Sequence, residues 1–205
     1  MLYIISAWIA SFIFGLSVVI GKIVSKYSIK NMWYFNFLYV LFTFLFMIPF
    51  SINKDITIPI LWTNLLLSSF FDALSNIFFT LSIFHLDVSV MGPLFNLRTA
   101  FSAILAVLLL GEVLSSKEII LIIIIFFAGM FVSISEKFSI KSFFNKSIYY
   151  GILMSLFLAF KAIFVNKSIA NIGLWNTNFF NPLFSFIFTF LTIPFFFREI
   201  KKTKI

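Results

Sequence analysis

The chain has 205 residues and a net charge of +8, with 62% hydrophobic residues, only 11% charged residues and 33 phenylalanines. A water-soluble domain is ~45–50% apolar and ~25% charged, and a globule of this size has too much surface to hide the excess, so a soluble enzyme is excluded. The absence of Cys excludes disulfides and thiolate chemistry, and the single His, His85, excludes a multi-histidine metal site.

Lipid is then the solvent, and crossing it as a helix takes ~20 mostly apolar residues. Such stretches occur at 2–21, 32–52, 60–84, 88–110, 119–135, 148–168 and 176–197. Runs such as Ile119–Ala128 do not alternate as barrel strands must, so all seven are expected to be helices. The first lacks a basic leader and is not a cleaved signal. The second carries Asn36, Tyr39 and Thr43 along one side. The third opens behind Pro59, whose missing N–H is harmless at a helix start. It sets Ser69, Asp72, Asn76 and Thr80 on one face. A short turn near His85–Asp87 leads into the fourth, which bears a small, weakly polar stripe of Gly92, Asn96, Thr99, Ala103 and Ala106.

Gly111 is the expected stop of the fourth helix. Glu112 follows it. A carboxylate is disfavoured at a helix C-terminus, so Glu112 is read either as a turn residue or as a gating or proton-carrying group. Ser115 to Glu118 has capping-box spacing before the fifth helix. In the sixth, Lys161 is placed to snorkel to the interface, and Lys22 and Lys167 are read as interfacial. The seventh carries Asn178, Asn181, Ser185, Thr189 and Thr192.

The basic residues lie in gaps between spans and in the tail, which is an orientation signal and not a nucleic-acid patch. Ten Lys and Arg fall on one side and three on the other (Lys54, Lys117 and Lys167). That imbalance predicts an outside N-terminus and a cytoplasmic C-terminus.

One ungapped offset, 145 residues, superposes the chain on itself: Lys22 on Lys167, Asn31 on Asn176, Phe35 on Phe180, Asn36 on Asn181, Leu38 on Leu183, and Ile48-Pro49-Phe50 on Ile193-Pro194-Phe195. Spans one and two thus read as copies of spans six and seven. Five spans separate the copies, so they cross in opposite directions, which is the inverted repeat of many secondary transporters. Two full copies of this period need ~290 residues, so about three spans of the second are expected to be missing. The expected organisation is a five-helix repeat at 1–135, a loop at 136–147, a partial second repeat at 148–197 and a basic tail at 198–205.

Polar groups inside hydrocarbon are costly, and their placement is informative. Asn36 and Asn181, recurring in both copies, are read either as helix-packing amides or as the lining of a central cavity, with Asn76 and Asn96 alongside. Asp72 and Arg98 flank the turn at Leu86, 14 residues back and 12 forward, so their depths differ by only ~3 Å. They are expected either to form a static ion pair or to meet a solute or proton in a wet cavity. No P-loop, H-E-x-x-H or G-x-S-x-G pattern occurs, so no cofactor, metal or enzymatic nucleophile is expected.

The segment Val90-Met91-Gly92-Pro93-Leu94-Phe95-Asn96-Leu97-Arg98-Thr99, continuing to Leu108-Leu109-Leu110-Gly111-Glu112-Val113-Leu114, resembles the fourth span and following turn of EamA-type proteins of the drug/metabolite transporter superfamily. Gly129 in the fifth span and the opening helix ending in Lys22 are similar too. The resemblance covers residues 1–135, with 148–197 as the start of a second repeat. It implies ten helices in two inverted repeats around a central cavity, both termini in the cytoplasm, and transport of small metabolites or drug-like solutes.

The resulting expectation is an all-α, multi-pass membrane transporter, in a bacterial inner membrane, powered by a gradient and not by ATP. Its partners would be the lipid bilayer and a small-molecule solute, with no nucleic acid. The alternative is a non-transporting fragment or assembly subunit, completed by self-association or by a partner chain.

Overall fold

The computed structural model describes residues 2–132 and 146–194. The tail expected at 198–205 and most of the loop expected at 136–147 lie outside the described residues. Within them the chain forms α1 (Leu2–Tyr27), α2 (Met32–Ser51), α3 (Thr63–His85), α4 (Val88–Leu110), α5 (Ser116–Val132), α6 (Lys146–Ile172) and α7 (Leu174–Thr189), then a 3-10 turn at Phe190–Thr192. No strand occurs among the described residues. Helices α1, α2, α3, α4 and α6 are each long and apolar enough to cross a membrane, while α5 and α7 have 17 and 16 residues. This is an all-α integral membrane protein.

Local chemistry accounts for most boundaries. Asn31 caps α2, its Oδ1 accepting from the Tyr34 N–H at 2.9 Å. Gly111 ends α4 in the left-handed region, at φ 69°, where its lack of a Cβ removes the strain. The capping box forms as spaced: the Ser115 N–H and Oγ–H both donate to Glu118 Oε2 at 2.7 Å. These bonds, hydroxyl first, hold the Glu118 carboxyl below its ordinary range. A depressed carboxyl pKa stabilises the fold above the unfolded value and loses that contribution as pH falls through the folded one. Ser115→Ala should therefore lower Tm at neutral pH and shrink the loss of Tm on acidification; an unchanged Tm would mean that the box does not hold α5.

Several boundaries depart from the sequence reading, among them the sixth span, which runs Lys146–Ile172 in place of the expected 148–168, and two with a visible cause. The third helix begins at Thr63, not behind Pro59; Pro59, Ile60 and Leu61 belong to the α2–α3 loop. Proline biases its preceding residue away from helical geometry, and the loop has a better tether. Thr57 donates its N–H to Asn176 Oδ1 at 2.9 Å and accepts from Asn176 Nδ2 at 3.2 Å, while Lys54 lies over the Trp175 ring. The first helix also continues past residue 21, through Lys22 and Lys26 to Tyr27, because nothing there breaks it.

Helix α3 is the hub, packing on α6, α7, α2 and α1. Half of its apolar window is buried against 6% for α1, which separates the central helix from the peripheral one. Small side chains make the hub approachable: Ser68, Ser69, Ala73, Ser75 and Ser82 are buried. Each serine hydroxyl returns its hydrogen to a carbonyl one turn back, so none is left unsatisfied in lipid. Phe71 of α3 stacks on Phe157, Phe160 and Phe164 of α6 with centroids 6.1, 4.8 and 5.7 Å away.

Helix α6 lies between α3 and α4, packing on both, while α3 and α4 scarcely touch beyond their turn. The α4 face of α6 is small: Gly151, Ser155 and Ala159 recur every fourth residue and are buried. Ser155 Oγ donates to Leu94 O at 2.5 Å. The remaining surface of α1 and α5 is apolar and exposed, as lipid-facing helices require.

Candidate solute site

A cavity of about 630 Å³ opens among α1, α2, α3 and α4. Its walls are Ala10, Ser11 and Phe14 of α1, Tyr39 of α2, Ser75, Asn76 and Phe79 of α3, and Phe95, Asn96, Arg98, Thr99 and Ser102 of α4, with Leu158 of α6 at one side. Arg98 and Asn76 both lie near the middle of their 23-residue helices. The cavity is therefore at mid-depth in the bilayer, where a charge costs ~2.5–3.5 kcal/mol on insertion scales.

Five of the residues singled out from sequence, Tyr39, Asn76, Asn96, Arg98 and Thr99, converge here. The other cavity and gating candidates, Asn36, Asp72, Asn181 and Glu112, do not line this cavity. Asn36 is buried between α2 and α3, its Oδ1 accepting from Thr80 Oγ1 at 3.2 Å. Asn181 is buried between α7 and α3, donating to Ser68 Oγ at 2.6 Å and Ser69 Oγ at 3.4 Å. Their partners on α3 are 12 residues apart, or about 18 Å at ~1.5 Å per residue, so the two amides do not share a site. Glu112 is exposed in the α4–α5 turn, away from the cavity walls.

The expected Asp72–Arg98 pair is not formed. Asp72 Oδ1 instead meets Lys161 Nζ of α6 at 2.7 Å, so Lys161 does not snorkel away. Depth placed Asp72 and Arg98 level, but the wedge of α6 between α3 and α4 puts Lys161 closer. Arg98 is left facing the cavity with no ion-pair partner among the described residues. Lys22 and Lys167, read as interfacial, each reach the C-terminal end of a neighbouring helix. Lys22 Nζ donates to Ile83 O at 2.7 Å and Leu86 O at 2.8 Å, closing the C-terminal end of α3. Lys167 Nζ donates to Leu109 O at 3.3 Å, near the end of α4.

Sequence reasoning found Tyr39 but missed Ser11, Ser75, Ser102 and the Phe14, Phe79 and Phe95 rings that extend it into an aromatic wall. Tyr39, Phe79, Phe95 and Phe14 form a chain of rings with successive centroids 5.4, 5.9 and 5.0 Å apart. Ser75, beside Asn76, extended a stripe already noticed. The rings left no legible signal in a chain with 33 Phe.

Helices α1 to α4, which frame the cavity, are also the part of the chain that matches a known family. The sequence model of the EamA-like transporter family matches residues 1–134. The chain belongs to this family. No curated protein and no solved structure matches it. As an EamA-like transporter family member with five membrane-crossing helices among its described residues, it is a multi-pass membrane protein.

Proposed function

We propose that this chain is a carrier that binds a small metabolite or drug-like solute in the α1–α4 cavity and moves it by alternating access. A solute or ion gradient, not ATP, drives it, and no enzymatic step is involved. The observation that carries the reading is a mid-depth cavity of about 630 Å³, within the ~300–1,000 Å³ of small-molecule sites, built by the family-matched helices. The polar groups in it come from four helices: Ser11 of α1, Tyr39 of α2, Ser75 and Asn76 of α3, and Asn96, Arg98, Thr99 and Ser102 of α4. A bacterial inner membrane is the expected location.

The 145-residue repeat supports the alternating-access part of the reading. The paired Lys22 and Lys167 both donate to carbonyls at the C-terminal end of another helix. The paired Asn36 and Asn181 are both buried against α3. Two equivalent helix pairs of opposite direction would give the bundle two related arrangements about one site.

The test is solute counterflow in proteoliposomes, using solutes that change when the gene is deleted. The wild-type chain should exchange solute, and Thr99→Trp, which fills the cavity, should abolish exchange while keeping the helical circular dichroism. Exchange by Thr99→Trp at the wild-type rate would sink this site. The second reading, a subunit completed by another chain, draws on the 6% burial of α1. It predicts no exchange by the chain alone and exchange after co-reconstitution with a co-purifying partner.

A further inference from the structure

Taking the carrier reading as its base, we infer that the cavity selects an organic anion with an aromatic or otherwise flat apolar body, and that Arg98 is the residue that binds its charge. Arg98 is, among the described residues, the only charged side chain in the cavity wall. Among the described residues, Asp55, Asp87 and Glu112 lie outside the helices and Glu118 lies in the first turn of α5, none of them in the cavity wall. Asp72, the remaining described carboxylate and the one placed mid-helix, is engaged by Lys161. The cavity thus presents a cation with no internal counter-charge, and a carboxylate or similar anion would supply it.

Arg98 is also too deep to serve a lipid headgroup. It lies ten residues from the start of α4 and 12 from its end, about 15–18 Å at ~1.5 Å per residue. The aromatic part of the lining fits the rest of the ligand. The rings of Tyr39, Phe79, Phe95 and Phe14 line it in succession, inclined to one another by 43°, 61° and 89°, and offer faces and edges to a flat apolar body. Asn76, Asn96 and Thr99 line the same cavity and can donate to the remaining acceptors of the anion. A cationic amine finds no carboxylate in this wall and is disfavoured by Arg98 itself.

The experiment measures equilibrium binding to the purified full chain in detergent. Three probes share one aromatic body: 3-phenylpropionate, its neutral amide and phenethylamine. Wild-type protein should bind the acid about tenfold more tightly than the amide, as a charge-assisted bond to Arg98 implies, and should not bind the amine measurably. Arg98→Gln should bring acid and amide to equal affinity, while Arg98→Lys should keep part of the preference. The acid–amide comparison on wild-type protein stands alone if Arg98→Gln does not fold. Equal wild-type affinities for acid and amide, a preference for the amine, or no binding by any probe would each overturn the anion assignment. Counterflow of other solutes decides the carrier reading separately, so the two failures are distinguishable.

Discussion

Asp72→Ala should destabilise the folded chain by about 3 kcal/mol, at the low end for a broken buried ion pair because the Lys161 side chain is a third exposed. The variant leaves the Lys161 ammonium facing α3 without its ion-pair partner. Lys161→Met should cost a similar amount by stranding Asp72, whose side chain is only 9% exposed. The double variant Asp72→Leu/Lys161→Met should recover most of that loss, since well-packed apolar residues in place of a buried pair are often neutral or better. Unfolding in mixed micelles measures each term. Asp72 and Lys161 should couple by about 1–3 kcal/mol in the resulting cycle, and Asp72 with Arg98 should show no coupling. Coupling of Asp72 to Arg98 instead would mean that α6 does not sit between α3 and α4 as described, and Arg98 would lose its standing as a free cation.

Gly151→Leu should lower stability by about 1–3 kcal/mol through overpacking, with a much smaller effect for Gly151→Ala. A Cβ at Gly151 would stand 2.5 Å from Leu94 Cδ1 and 3.3 Å from Leu94 Cβ. The methyl end of Leu94 can swing aside for one carbon. A branched side chain would have to push α4 and α6 apart along the whole Gly151–Ser155–Ala159 face and break the Ser155 bond to Leu94 O. Gly92 is the internal control. A Cβ there meets nothing within 4 Å, so Gly92→Ala should be neutral, or stabilising by about 0.5–1 kcal/mol through helix propensity. Wild-type stability for Gly151→Leu would show that α4 and α6 do not approach so closely.

These expectations depend on features that differ in how legible they were. The solvent and the fold class were readable because apolar fraction and span length act over whole segments, and no tertiary contact can make 62% apolar residues dissolve. Gly111, Asn31 and the Ser115–Glu118 box were local too, and their geometry follows from residue type and a spacing of a few positions. The family followed from the segment around Gly92 and Glu112, inside the matched residues 1–134.

The site was only half legible. Asn76, Asn96 and Arg98 could be placed at the right depth, because rise per residue along a helix is constant. Which neighbour each one faces depends on rotation and on which helix comes next to which, and sequence carries neither. Tertiary packing alone set α6 between α3 and α4, gave Asp72 to Lys161, drew Asn36 and Asn181 into helix contacts and left Arg98 open to the cavity. The physical reason is that in lipid the apolar faces of different helices are interchangeable as solvent contacts, so the order of packing is chosen by close fits such as Gly151 against Leu94 and by a few polar bonds between distant residues.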